Sequence, residues 1–500
     1  EVQLTLLLTV CLVVAVIFAF LRSFWATAIP AITVPLALLA TLGVACGDSS
    51  SDSRGSATAG VTVSAGSITA TGGLTVTATA TVTDSGSGSG DASATGTTGG
   101  GSASASASGS TSSQPTGGGS GPKFDLGTIP DAGCQAGGDV DSSYIWIPGT
   151  GDGTVNKINT RTLVQEATYL IGPEGGTESA SRTAVSGDGR FVVVNSRGTG
   201  RSTAVAASLA DCKDVNGDGM ITTSTSQGDI KPWGSDECVV WTLTHGNWSG
   251  SYTHGPRGIT WTLGTWNAPT CSFVNPKVWL GYGTNAGADF VRLDGATGNV
   301  EEILALPGWD GSGYAPYGGA LDPQQRPWFT GLRGELARVN TDQNPITVTR
   351  IPQPPEIQTY GMTVDPDGNP WMAGCSGPVS VYDINLQTWV SVAGTSACYR
   401  GMAIDHDFHA WVASNGPCEL VEVDGKARTL VAKHQLPQCS TAIGVSVDVD
   451  GFVWLVDQAG WAWKIDPKNV PAMQMVSVPG DHYVYSDMTG GQLKSVFVPG

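Results

Sequence analysis

The sequence predicts an all-β fold, a seven-bladed β-propeller filling the C-terminal three-quarters of the chain. The prediction rests on a repeat of about forty residues, on its turn chemistry and on four matching tryptophans. Trp328, Trp371, Trp411 and Trp454 lie 43, 40 and 43 residues apart. TYGMTVDPDGNPWMAG (Thr359–Gly374) aligns with PYGGALDPQQRPWFTG from Pro316, YRGMAIDHDFHAWVAS from Tyr399 and AIGVSVDVDGFVWLVD from Ala442. SRTAVSGDGRFVVVN, from Ser181, is a weaker copy. Each copy reads as a short inner strand, an Asp/Gly turn and an aromatic-centred second strand; GELARVN and ITVTRIP then read as a third and a fourth. Trp146, Val192 and Trp279 are weaker equivalents that bring the units to seven, although six or eight blades also fit the spacing.

Composition agrees with strands and tight turns. Among 500 residues, Gly (69) is abundant, charged residues make up only 14%, and Trp (16) outnumbers Tyr (11) and Phe (11). The net charge of −18 argues against a nucleic-acid partner. Eight cysteines lie in the folded part: Cys134, Cys212, Cys238, Cys271, Cys375, Cys398, Cys418 and Cys439. An even number without CxxC spacing implies disulfides formed in an oxidising compartment. Nearness in sequence suggests Cys212–Cys238, Cys375–Cys398 and Cys418–Cys439, leaving Cys134 with Cys271, although sequence alone admits other pairings.

Residues 1–45 are apolar, residues 46–121 are a Gly/Ser/Thr/Ala linker, and residues 122–500 carry the propeller. The linker holds no aromatic residue and cannot bury enough apolar surface to fold. As a flexible coil it spans roughly 50 Å, a stalk lifting the remainder off a membrane. Within the apolar block, LRSFWATAIPAITVPLALLATLGV (Leu21–Val44) resembles a membrane segment of resistance-nodulation-division efflux pumps. A transporter needs many spans with proton-relay carboxylates, and none follow. Arg22, an apolar stretch and LGVAC also resemble a lipoprotein signal with its lipobox, with Gly43 in place of the usual Leu. That resemblance implies lipidation of Cys46 after cleavage; the alternative is an uncleaved membrane helix. The chain opens on Glu1, as a fragment or a fused reading frame would.

The repeats, with their hGhxxDxxGxxWxx pattern, are similar to those of the streptogramin B lyase (virginiamycin B lyase) family. That resemblance implies the fold, and for activity it implies a His acting as general acid/base beside a carboxylate-held magnesium. The six histidines here are His245, His254, His406, His409, His434 and His482, and none falls at the repeat position that faces the channel. No catalytic residue is therefore assigned.

Two constellations remain. The interval 197–256 is read as an insertion and contains DVNGDGMITTS, which resembles an EF-hand or dockerin calcium loop. Asp214, Asn216 and Asp218 would be ligands, joined by the carbonyl of Met220, with structural calcium as the expected cofactor. The twelfth position is Thr225, where the family carries Glu, so Asp229, Asp236 or Glu237 would have to substitute. The second constellation is the repeat position that starts each inner strand: Arg257, Tyr317, Tyr360, Arg400 and Tyr485, with Arg182 one residue out of register. Converging arginines in an acidic protein suggest a pocket for an anionic or aromatic ligand; the alternative is that they bond carbonyls or Asp residues of neighbouring blades. YSDMTGGQL (Tyr485–Leu493) reads as an inner strand that completes the first blade.

The expected protein is thus an exported, membrane-tethered monomer that recognises a small or polymeric ligand, or an envelope protein, without catalysis. A streptogramin B lyase-like C–O lyase is the alternative, and an efflux-transporter fragment fused to this domain a remote one.

Overall fold

The computed structural model describes residues 143–491 and 493, apart from Cys271. The apolar block, the linker, Cys46 and Cys134 lie outside the described residues. Seven antiparallel sheets succeed one another along the chain, forming the seven-bladed propeller. Blade 1 has strands Tyr144–Gly149, Thr154–Asn159 and Gln165–Leu170. Blade 2 has Ala180–Val185, Phe191–Ser196, Arg201–Ala206 and Val239–Thr244. Blade 3 has Ile259–Trp261, Lys277–Gly283, Gly287–Asp294 and Val300–Pro307, with a hairpin (Thr265–Asn267, Ser272–Val274) after its inner strand. Blade 4 has Gly318–Leu321, Pro327–Thr330, Glu335–Asn340 and Thr347–Pro352. Blade 5 has Gly361–Val364, Pro370–Ala373, Ser380–Asp383 and Thr388–Ser391. Blade 6 has Ala397–Ile404, His409–Asn415, Cys418–Asp424 and Thr429–Gln435, and blade 7 has Ala442–Val447, Val453–Asp457, Trp461–Ile465 and Gln474–Ser477.

The Asp and Trp of the repeat hold each other. In blades 4 to 7 the indole Nε1 of Trp328, Trp371, Trp411 and Trp454 donates to Asp322, Asp365, Asp405 and Asp448 at 3.0, 2.9, 2.7 and 2.9 Å. The other oxygen of each carboxylate accepts the backbone N–H groups two and four residues on, closing the turn between inner and second strands. All eight side chains are buried, where an unbonded indole N–H or carboxylate would be costly. Ala320, Thr363, Ala403 and Ser446 stand directly opposite the four indoles, and their small side chains leave room for the rings.

Glycine sets the distance between blades. A Cβ on Gly361 would lie 2.4 Å from the Arg400 carbonyl, and one on Gly401 would lie 2.7 Å from that of Ile443. At these two positions the inner strands touch backbone to backbone, which is the reason for the Gly in those two hGh motifs.

The C-terminal segment closes the ring. Trp146 N donates to Met488 O at 2.8 Å, placing this segment beside the Trp146 strand, where an inner strand belongs. It does not form a full ladder, because Asp487 Oδ1 gathers the N–H groups of Thr489 and Gly490 into a turn. Side chains complete the clasp: Thr183 N donates to Ser486 Oγ at 2.8 Å, and Thr489 Oγ1 donates to Val447 O at 2.6 Å. Blade 1 is thereby tied to both blade 2 and blade 7.

The interval 197–256 supplies the third and fourth strands of blade 2, and the residues between them, 207–238, form the excursion that carries the Asp-rich loop. Disulfides join Cys212–Cys238, Cys375–Cys398 and Cys418–Cys439, the mark of an extracellular or periplasmic protein. Among the described residues no helix is long and apolar enough to cross a membrane.

Two measurements check this account. Asp405→Ala strands the Trp411 N–H and two backbone donors, and should cost on the order of 3 kcal/mol in urea unfolding; a loss below about 1 kcal/mol would refute the latch. Burial pushes the Asp487 carboxyl up to about 6. A raised folded-state value means that its stabilising contribution is complete below its unfolded value and is lost as pH rises through about 6. Asp487→Asn keeps the accepting oxygen but cannot ionise, so the variant should gain stability relative to the parent between about pH 4 and pH 7. Parallel pH profiles for the two proteins would contradict this.

Candidate functional site

Each blade sends one residue to the axis from the start of its inner strand. In blade order these are Tyr485 from the closing segment, Arg182, Arg257, Tyr317, Tyr360, Arg400 and Ile443. The six candidates read from the repeat therefore converge. Arg182, one residue out of phase in the sequence, arrives there because the turn after its inner strand is one residue shorter: Val185 stands opposite Val192, seven residues on, where Thr363 stands opposite Trp371, eight residues on.

The ring is filled by contacts across the axis. The Arg182 guanidinium lies 4.2 Å from the Tyr485 ring centre and 5.0 Å from that of Tyr317. Arg400 lies 4.2 Å over Tyr360, and its Nη1 reaches the Tyr485 hydroxyl at 3.5 Å. The Tyr317–Tyr360 and Tyr360–Tyr485 rings meet edge to face at 5.6 and 5.4 Å. Four further side chains join that the repeat did not mark: Arg197, Tyr252, Tyr314 and Tyr483. Arg197 sits 4.2 Å from the Tyr483 ring and 5.0 Å from that of Tyr252, which is half exposed. The hydroxyls of Tyr317 and Tyr483 are 3.1 Å apart. Tyr483 could have been found from strand alternation, two residues before Tyr485. Arg197, Tyr252 and Tyr314 leave no comparable signal, since they lie between the strands, Tyr252 at the start of a single 3₁₀ turn.

The arginines differ in how they are held. Arg257 donates to the carbonyls of Thr253, Gly255 and Tyr252 at 2.9 to 3.0 Å, so it mainly braces its own turn. Arg182 donates to the Tyr317 carbonyl and the Ser181 hydroxyl, and its Nη2 makes no hydrogen bond among the described residues; the same holds for Nε of Arg400. Among the described residues seven other arginines pair with carboxylates, but Arg182, Arg197, Arg257 and Arg400 do not. Burial pulls Arg182 below its ordinary pKa and Arg257 down to about 10, and neighbouring arginines add to both effects. For Arg400 burial opposes the charge, yet the Tyr485 and Tyr360 phenols outweigh it and hold the pKa above its ordinary value. Burial and the Tyr483 phenol push Tyr317 up to about 12. The cluster is thus cationic, desolvated and short of counter-charge.

In the Asp-rich loop, Asp214 accepts the N–H groups of Gly217 and Gly219, Asn216 that of Asp218, and Asp218 that of Met220. Gly217 (φ +74°) and Gly219 (φ +82°) take the left-handed turns that this wrapping requires. All three side chains are exposed. Asp229 is held by Lys231 and Thr225. Glu237, brought beneath the loop by the Cys212–Cys238 bridge, accepts the N–H groups of Val215, Asn216 and Thr222. Asp236 binds the hydroxyls of Thr223 and Ser224.

The imidazoles lie elsewhere. His245 is buried against Ser202, and burial lowers its pKa to about 4. His254 meets Ser249, His409 and His434 flank Glu422, and both ring nitrogens of His482 face backbone carbonyls. His406 is exposed.

Comparisons with known proteins give distant likenesses of fold. The chain matches no protein-family model and no curated protein. Among solved structures, virginiamycin B lyase from Staphylococcus aureus is 12% identical, with TM-score 0.41, over 60% of this chain and 85% of that one. AztD from Citrobacter koseri is 12% identical, with TM-score 0.43, over 69% and 97%. A protein of unknown function from Desulfotomaculum acetoxidans is 11% identical, with TM-score 0.46, over 68% and 100%.

Proposed function

We propose that this chain is an exported, membrane-tethered β-propeller that binds an anionic ligand at its axial Arg/Tyr ring without transforming it. The carrying observation is the convergence of Arg182, Arg197, Arg257 and Arg400 without a carboxylate partner among the described residues, in a chain of net charge −18. A buried cation without a counter-ion is costly, and an anion reaching it would gain charge-assisted, forked hydrogen bonds. Tyr252, half exposed beside Arg197, offers an aromatic approach to the ring. Export is supported by the disulfides, and tethering rests on the apolar residues 1–45 with Cys46 as the acylated end.

A panel of citrate, phosphate and benzoate should include at least one anion that raises the melting temperature of the intact chain. Replacing Arg197 and Arg400 together by Ala should abolish that rise while sparing the unliganded fold. Arg257→Ala should instead lower the unliganded melting temperature, because it frees three carbonyls from their clamp. Stabilisation indifferent to Arg197 and Arg400, or none with any anion, would sink the reading.

The loop at 214–220 would hold calcium in a structural role, through Asp214, Asn216, Asp218 and the Met220 carbonyl. The oxygen donors and left-handed glycines suit a hard cation, whereas Asp229 is already committed to Lys231. Isothermal titration should detect one millimolar-range calcium site, lost in Asp214→Ala; no heat at that concentration would remove the claim.

A further inference from the structure

The repeat contains its own control for a second site. On the third strand of five blades a charged residue stands directly opposite the anchor tryptophan: Lys157, Arg292, Arg338, Glu422 and Lys464. Four of these are closed off by the protein. Lys157 donates to the Ala207 carbonyl and pairs with Glu166 at 3.2 Å. Arg292 pairs with Glu301, Glu422 lies between His409 and His434, and Lys464 donates to the Thr160 carbonyl. In blade 4, Arg338 donates only through Nε, to Asn340 Oδ1 at 2.9 Å, and neither Nη makes a hydrogen bond or ion pair among the described residues.

That open guanidinium lies in a groove of about 440 Å³ between blades 4 and 5, a volume suited to a small ligand. Trp328 forms one wall, with the Arg338 guanidinium 5.5 Å from its ring centre. Tyr382 and Trp389 form the other, their rings 5.2 Å apart and inclined at 59°. Trp389 is anchored by its Nε1 donating to the Pro352 carbonyl at 3.0 Å, so its face is set before any ligand arrives. Thr349 and Gln387 add polar groups. Arg350 also lines the groove but is spent on Glu335 and the carbonyls of Pro307 and Gly308. Burial and nearby Arg326 pull the Arg338 pKa below its ordinary value. Asp322 and Asp342 attract it without pairing, and the Asp322 carboxylate is already taken by Arg326 and Trp328.

We propose that this groove binds an acidic saccharide, a uronate whose carboxylate meets Arg338 and whose sugar ring packs on Trp389 and Tyr382. Inclined to each other at 59°, Tyr382 and Trp389 cup the C–H face of a puckered ring better than they would stack on a flat aromatic acid, which needs a single plane. The polar rim offers partners for sugar hydroxyls. This site is separate from the axial ring and stands whether or not the ring binds anions.

The test titrates the intact chain with trigalacturonate, following tryptophan fluorescence and heat. Saturable binding is expected, weakened about tenfold or more by Arg338→Gln and by Trp389→Ala. Arg338→Lys should fall between, since it keeps the charge but loses the fork. Each variant's melting curve is recorded, so that loss of folding is not mistaken for loss of binding. Maltotriose, the neutral control, should bind about tenfold more weakly than trigalacturonate. Equal binding of the two, tighter binding of indole-3-acetate with the same response to mutation, or no saturation by trigalacturonate at millimolar concentration would each overturn the proposal.

Discussion

The bond between a buried aspartate and a buried indole is the constraint from which the propeller is assembled. Each of Asp322, Asp365, Asp405 and Asp448 accepts an indole N–H and two turn N–H groups, so one carboxylate fixes a turn and a core ring together. Its six-residue spacing to the tryptophan sets where the second strand begins. Burial raises the pKa of Asp365 and Asp448, and the indole and backbone donors offset part of that shift. The latch therefore works by satisfying groups that must be buried anyway, rather than by adding a favourable charge.

Blades 1 to 3 lack this arrangement and are held by other means. Trp146 has an indole N–H without a partner among the described residues, and Val192 replaces the ring in blade 2. Trp261, on the inner strand of blade 3, donates instead to the Ala184 carbonyl of blade 2. The early blades thus rely on bonds between blades and on the C-terminal clasp, where the later ones rely on bonds within a blade.

A repeat makes departures meaningful. The axial position holds Arg, Tyr or Ile, because no latch bond of the repeat depends on it. Arg338 stands out because its counterparts in other blades are taken up by ion pairs or backbone carbonyls, while both of its Nη groups stay open among the described residues. Both candidate sites are exceptions that become visible once the rule of the fold is known.

The blade number, the strand order and the six axial residues were legible from one sequence, since a period near forty and a Gly-centred inner strand determine which residue faces inward. Three neighbouring disulfide pairs were legible for a similar reason: short loops bring close cysteines together. Arg197, Tyr252 and Tyr314 were not, because the segments between strands have no period to extrapolate. Nor could the sequence divide labour among arginines. Arg182 and Arg257 look equivalent in the repeat, yet Arg257 spends itself on its own turn while Arg182 lies between two rings. Local pattern determined the blades, since strands and turns are decided by near neighbours. Only tertiary structure decided which charges are answered, because the partners range from a residue's own turn, for Arg257, to a neighbouring blade, for Lys464.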